Sequence, residues 1–152
     1  IKNDGESVNT FCCALLNQKP EIVERCFTEY MKKTISIRDT FVQKPTKETF
    51  YHGLLLGILG YKENWSVSSN RESGDGFADI LIQIEDEDVG IVIEVKYAED
   101  GNMEKACNSA LQQIVDKNYI NALRQEDVHT ILKYGIACYK KKCKVVMSIT
   151  KA

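Results

Sequence analysis

The chain has 152 residues, 43% of them hydrophobic and 28% charged, with a formal net charge of −2. That length can bury a real core in one compact domain, and so ordinary a composition excludes disordered, collagen-like and fibrous classes. The longest apolar stretch, 54–59, falls far short of the ~20 residues that cross a bilayer. The mild negative charge excludes a protein coated with phosphate-binding residues but leaves room for a local basic patch.

No basic segment followed by an apolar run opens the chain, so no signal peptide is visible, and a start at Ile1 rather than Met reads as a piece of a longer protein. Ser7 to Asn17 reads as a short helix. After Pro20, which suits a first helical turn, Ile22, Val23, Cys26, Phe27, Tyr30 and Met31 recur at helical spacing. Arg38 to Lys47 is polar, carries Pro45 and reads as a connection. Thr46 is placed to cap a third helix through about Gly60, with Phe50, Leu54, Leu55 and Ile58 as its buried stripe. This divides the chain into an accessory helical segment with its connection, 1–45, and a main domain, 46–152.

The period then changes from 3.6 to 2. Trp65 to Asn70 alternates as a half-exposed strand, and Ser73-Gly74-Asp75-Gly76 makes a turn. Phe77 to Glu85 and Val89 to Ala98 are two β-rich runs around an acidic corner, Glu85 to Asp88. Asn102 to about Lys117 is helical, with Ala106, Cys107, Ala110, Leu111 and Ile114 on one side. Thr130 to Tyr139 and Lys144 to Thr150 are two more strands, joined by a Lys140-Lys141-Lys142 corner. A helix, a three-strand meander, a helix and two strands predict a mixed α/β (α+β) domain.

Cys12, Cys13, Cys26, Cys107, Cys138 and Cys143 sit inside apolar periodic segments with no Cys-x-x-Cys pair. They read as buried free thiols in a reducing cytoplasm.

The acidic corner sets a register. With the turn at its centre, partners have numbers adding to 173, which puts Asp79 opposite Glu94. Cross-strand partners share a face, with Cβ atoms about 4.5–5.5 Å apart, and Lys96, two residues past Glu94, points the same way. Like charges directly opposed on adjacent strands destabilise a sheet unless something positive lies between them. Mg²⁺ takes oxygen ligands and suits one or two carboxylates plus a phosphate. The spacing by itself also fits Lys96 simply pairing with Glu94 or Asp79 on a solvated face.

Asp79 followed by Glu94-Val95-Lys96 at the end of a β-hairpin resembles the Asp…Glu-x-Lys signature of the PD-(D/E)XK nuclease superfamily. The likeness extends to the C-terminal nuclease-like domain attached to bacterial AAA-ATPase-like proteins. It runs through TISIRDTF, KETFYHGLLLGILG, SNRESGDGFADILI, GIVIEVKYAE, ALQQIVDKNY and YGIACYKKKCKV, about 34–145. The resemblance implies a restriction-endonuclease-like core and a nuclease using Mg²⁺, for which Mn²⁺ can substitute, with DNA favoured as substrate. It also implies an N-terminal ATPase-like domain as partner in the same chain. The alternative is a catalytically inactive nucleic-acid-binding or regulatory module.

Carried over to single residues, the resemblance implies Asp79 and Glu94 as metal ligands, the Val95 carbonyl as a further ligand, and Lys96 as the catalytic lysine. It implies an acidic contribution to the metal shell from Glu48 and a helix glutamine at Gln113. His52, four residues from Glu48, reads as a structural hydrogen-bonder, since Mg²⁺ prefers oxygen. Where related nucleases carry a tyrosine four residues past the glutamine, this chain has Lys117, and the tyrosine, Tyr119, comes six on. Lys117 then becomes a phosphate contact. Ala78 stands where the superfamily's name has proline. Lys140, Lys141, Lys142 and Lys144 form the dense basic patch, which reads either as solvated edge protection or as a contact for a nucleic-acid backbone, and Arg71 or Glu72 is placed to approach the site from the sheet end.

Overall fold

A computed structural model describes residues 2–34, 44–71, 78–117 and 127–151. Three helices come first: α1 (Lys2–Leu16), α2 (Pro20–Thr34) and α3 (Lys44–Leu59). Three strands follow, β1 (Trp65–Arg71), β2 (Ala78–Ile84) and β3 (Val89–Tyr97), then α4 (Met103–Asp116), β4 (Thr130–Tyr139) and β5 (Lys142–Lys151). The strands form one sheet in the order β1-β2-β3-β4-β5, antiparallel except for the parallel β3–β4 pair. A parallel pair needs a long crossover, and α4 lies within it. This is the mixed α/β architecture the sequence pattern predicts.

The helix boundaries differ from the pattern in two places. α3 starts at Lys44, inside the stretch read as a connection, so Thr46 lies within the first turn rather than capping it. Pro45 explains the early start, because a first helical turn has no use for the N–H that proline lacks. α1 likewise begins five residues before Ser7. β5 begins at Lys142, leaving Lys140 and Lys141 as the turn and Lys142 as a strand residue paired with Tyr139. The Ser73–Gly76 turn, Glu72 and Tyr119 lie outside the described residues, as does the side chain of Arg71.

One sheet face carries the principal core. Ile80, Ile82, Ile91, Ile93, Val95, Leu132, Tyr134 and Ile136 pack there with Phe11, Leu15, Val23, Phe27, Met31, Leu55 and Leu59 from α1, α2 and α3. The first two helices are therefore built into the same core as the sheet. Tyr134 donates a 2.6 Å hydrogen bond to the Leu15 carbonyl, and Glu24 Oε1 accepts from the Val145 amide at 2.9 Å. An edge strand left open invites pairing with other chains, and α2 meets that exposure at β5.

The cysteines are all free, with Cys12, Cys107, Cys138 and Cys143 buried, Cys26 half-buried and Cys13 exposed. Burial pushes the Cys12 and Cys107 thiols up to about 11 and Cys143 to about 12, so these three stay protonated at neutral pH. Among the described residues no helix is long and apolar enough to cross a membrane.

α4 covers the other face over a smaller cluster of Val92, Ile114, Val128 and Ile131. Its start is set by Asn102, whose Oδ1 accepts from the Lys105 amide at 3.2 Å. Its close approach depends on Gly135. A Cβ there would lie 2.6 Å from the Cys107 carbonyl oxygen and 3.2 Å from Ala110 Cβ. Gly135 is also the β4 neighbour of Glu94, so this close helix–sheet approach lies beside the acid pair.

Candidate metal centre

The β2–β3 hairpin has the register expected from its acidic corner: Asp79 opposes Glu94, and Ile80, Leu81, Ile82 and Gln83 oppose Ile93, Val92, Ile91 and Gly90. The loop takes Glu85 to Asp88, with Asp86 at φ 62, a conformation that aspartate tolerates better than most residues. Alternation sends the isoleucines to the principal core and both acids to the α4 side. Asp79 and Glu94 are each 0% exposed.

Gln113 of α4 and Lys117 at its C-cap close over them. Gln113 and Lys117 are one turn apart, so they share a helical face. With the Gln113 amide oriented so that donors meet acceptors, its NH₂ donates to Glu94 Oε1 at 3.1 Å and its carbonyl accepts from Lys96 Nζ at 3.0 Å. One amide thus joins the second acid to the lysine of the Glu-x-Lys segment. Lys117 Nζ donates to Asp79 Oδ2 at 3.2 Å, with 18% of the Lys117 side chain exposed. The other Glu94 oxygen, Oε2, is buried and takes no hydrogen bond. A buried carboxylate oxygen left so is costly, and a hard oxygen donor of this kind fits a Mg²⁺ ligand.

Glu48 and His52 belong to α3 and are 6% and 7% exposed. The Tyr97 amide donates to Glu48 Oε1 at 3.3 Å, so Glu48 meets the backbone one residue past Lys96. The His52 ring nitrogen Nε2 is 3.0 Å from Ser69 Oγ, a contact with β1. Among the described residues, no three His, Cys, Asp or Glu side chains gather as a set able to hold a metal. Glu48 is therefore near the end of β3 without being drawn into a cluster with Asp79 and Glu94.

The lysine-rich turn closes the β4–β5 hairpin. Lys140 and Lys142 are exposed and Lys141 half-buried. The Tyr51 hydroxyl donates to the Lys140 carbonyl at 2.6 Å. Tyr51, Tyr97 and Tyr139 form a continuous stack with centroid separations of 6.1 and 6.0 Å. Lys47 Nζ lies 4.4 Å from the Tyr97 ring centroid and 3.1 Å from its hydroxyl, and Lys140 Nζ lies 5.3 Å from the Tyr139 centroid. Sequence reasoning missed this array apart from Tyr139 and Lys140. The available signal was the i, i+4 spacing of Lys47 and Tyr51. It also missed the direct contact of Lys117 with Asp79, although Lys117 stands four residues past Gln113 and so shares its helical face.

The sequence model described as the PD-(D/E)XK nuclease superfamily matches residues 46–148. No curated protein matches the chain.

Proposed function

Because the chain belongs to the PD-(D/E)XK nuclease superfamily, we propose that it is a divalent-metal-dependent phosphodiesterase that hydrolyses nucleic acid, with DNA favoured. Members of this superfamily are typically metal-dependent nucleases. The observation that carries the reading is the buried Asp79–Glu94 pair, with Lys96 joined to Glu94 through one glutamine amide.

In this reading Asp79 and Glu94 hold Mg²⁺ or Mn²⁺ and the Val95 carbonyl adds a ligand, while Glu48 of α3 accepts from the Tyr97 amide at the end of the same strand. When bound, the ion polarises a phosphoryl oxygen and makes water a better nucleophile. Gln113 holds the Lys96 ammonium in place, so its charge is positioned before substrate arrives. Lys96 then orients the attacking water and offsets charge that develops on the phosphate, a gain that needs no reorganisation during reaction. Lys140, Lys141 and Lys142 bind the nucleic-acid backbone, an electrostatic contribution that weakens steeply with salt. The free thiols suit a reducing cytoplasm. Attachment to an ATPase-like domain of a longer chain rests on the likeness of the quoted sequence segments alone.

The test combines Mg²⁺ titration with product formation on nucleic-acid substrates. Wild type cuts only with metal, whereas Glu94→Gln and Lys96→Ala each lose at least about 10²-fold in kcat, as for the loss of one preorganised charge-stabilising group. Glu94→Gln also loses the metal-dependent rise in Tm, since a ligand that binds only the native state stabilises it. Metal-independent binding without any cut product favours the inactive nucleic-acid-binding or regulatory module.

A further inference from the structure

The cation at Asp79 comes from the far end of α4. Lys117 is the C-cap residue, and its amide donates to the Gln113 carbonyl at 3.0 Å while its ammonium reaches Asp79 Oδ2 at 3.2 Å. A divalent ion held by Asp79 must approach the same carboxylate to about 2.0–2.1 Å, so it meets a positive charge already in place. We propose that Lys117 is an internal counter-ion that neutralises Asp79 without metal and is displaced from it when a divalent ion binds. The ion pair and the metal are then alternative occupants of one carboxylate, and Lys117 sets the metal affinity. This rests on the reading of Asp79 and Glu94 as metal ligands.

Three observations support it. Both acids are 0% exposed and directly opposed, an arrangement whose repulsion and desolvation need compensation. Two cations supply it: Gln113 bridges Glu94 to Lys96, and Lys117 meets Asp79 directly. Finally, Lys117 keeps 18% of its side chain exposed at a helix end, so its ammonium can leave for water, or for a phosphate, by rotamer changes alone. The negative end of α4 favours a cation in either position.

The experiment measures Mn²⁺ affinity by electron paramagnetic resonance on the full chain, for wild type, Lys117→Met and Lys117→Arg. Lys117→Met keeps the stem without the charge. It is expected to bind Mn²⁺ about tenfold more tightly, in the usual range of coupling between two ligands, while its metal-free Tm falls. Lys117→Arg keeps the wild-type affinity. Equal or weaker Mn²⁺ binding by folded Lys117→Met overturns the inference and leaves the metal centre standing. No Mn²⁺ binding by wild type or Lys117→Met overturns the metal centre and this inference with it. Should Lys117→Met not fold, a Mg²⁺ titration of wild type followed by the ¹⁵N signal of the Lys117 ammonium decides the matter. The signal is expected to move at the Mg²⁺ concentration that saturates the site, and a signal unchanged at saturation overturns the proposal.

Discussion

The two faces of the β2–β3 hairpin are built from alternate residues of the same strands, yet they do opposite work. On one, Ile80, Ile82, Ile91 and Ile93 meet α1 to α3 in a largely apolar layer. On the other, two buried acids face each other beneath α4, with lysines reaching them directly or through an amide. The first face gains free energy from every side chain it buries; the second holds charges that would separate if the backbone let them. The apolar face makes the second possible. A one-residue slip of either strand would turn its isoleucines away from the principal core and toward the acidic face, so the register that opposes Asp79 to Glu94 is enforced from the other side of the sheet.

That division is open to attack from either face. Ile93→Ala strikes the apolar layer and is expected to cost about 2–5 kcal/mol in urea unfolding, equally with and without Mn²⁺, while the protein that remains folded keeps its Mn²⁺ affinity. A changed affinity would show that the faces are less separate than they look. Gln113→Leu strikes the charged face. It removes hydrogen bonds to two charged groups, at about 1.5–3 kcal/mol, and saturating Mn²⁺ should recover part of that loss by replacing the donor at Glu94. Thermal unfolding with and without Mn²⁺ measures this, and a metal-independent cost would reduce Gln113 to a packing role.

The smallest effect lies at the other end of the hairpin, where two exposed groups meet: Asp88 Oδ1 accepts from the His129 amide and lies 2.8 Å from its ring nitrogen. The ring hydrogen bond, then the backbone one, hold the Asp88 carboxyl below its ordinary 3.8. A carboxylate lowered on folding stabilises the protein above its unfolded pKa, and that contribution fades as pH falls through the folded value. His129→Ala should raise the Asp88 titration toward 3.8, followed by ¹³C NMR, with little change in Tm because both side chains are exposed.

Much of this was legible beforehand. The change of period after Gly60, the acidic corner and the length of the hairpin were enough to pair Asp79 with Glu94, because strand alternation and antiparallel pairing are local rules. The helical spacing of Gln113 and Lys117 placed them together on α4 for the same reason. Helix starts were less legible: Pro45 looked like part of a connection but lies in the first turn of α3. The division after residue 45 reflected a change in sequence character, yet Phe11, Val23 and Phe27 share the core with the sheet, and no local pattern announces such long-range packing.

Alternation and turn chemistry, acting over a few residues, thus decided which side chains line the acidic face and which acids oppose each other. How α4 lies across that face depended on Gly135, which meets Cys107 and Ala110 from a distant strand. That approach, added to the helical spacing of Gln113 and Lys117, put an amide between Glu94 and Lys96 and a lysine on Asp79. Contacts between elements far apart in sequence follow from packed volume and from the need to compensate buried charge, and both exist only once the chain has folded.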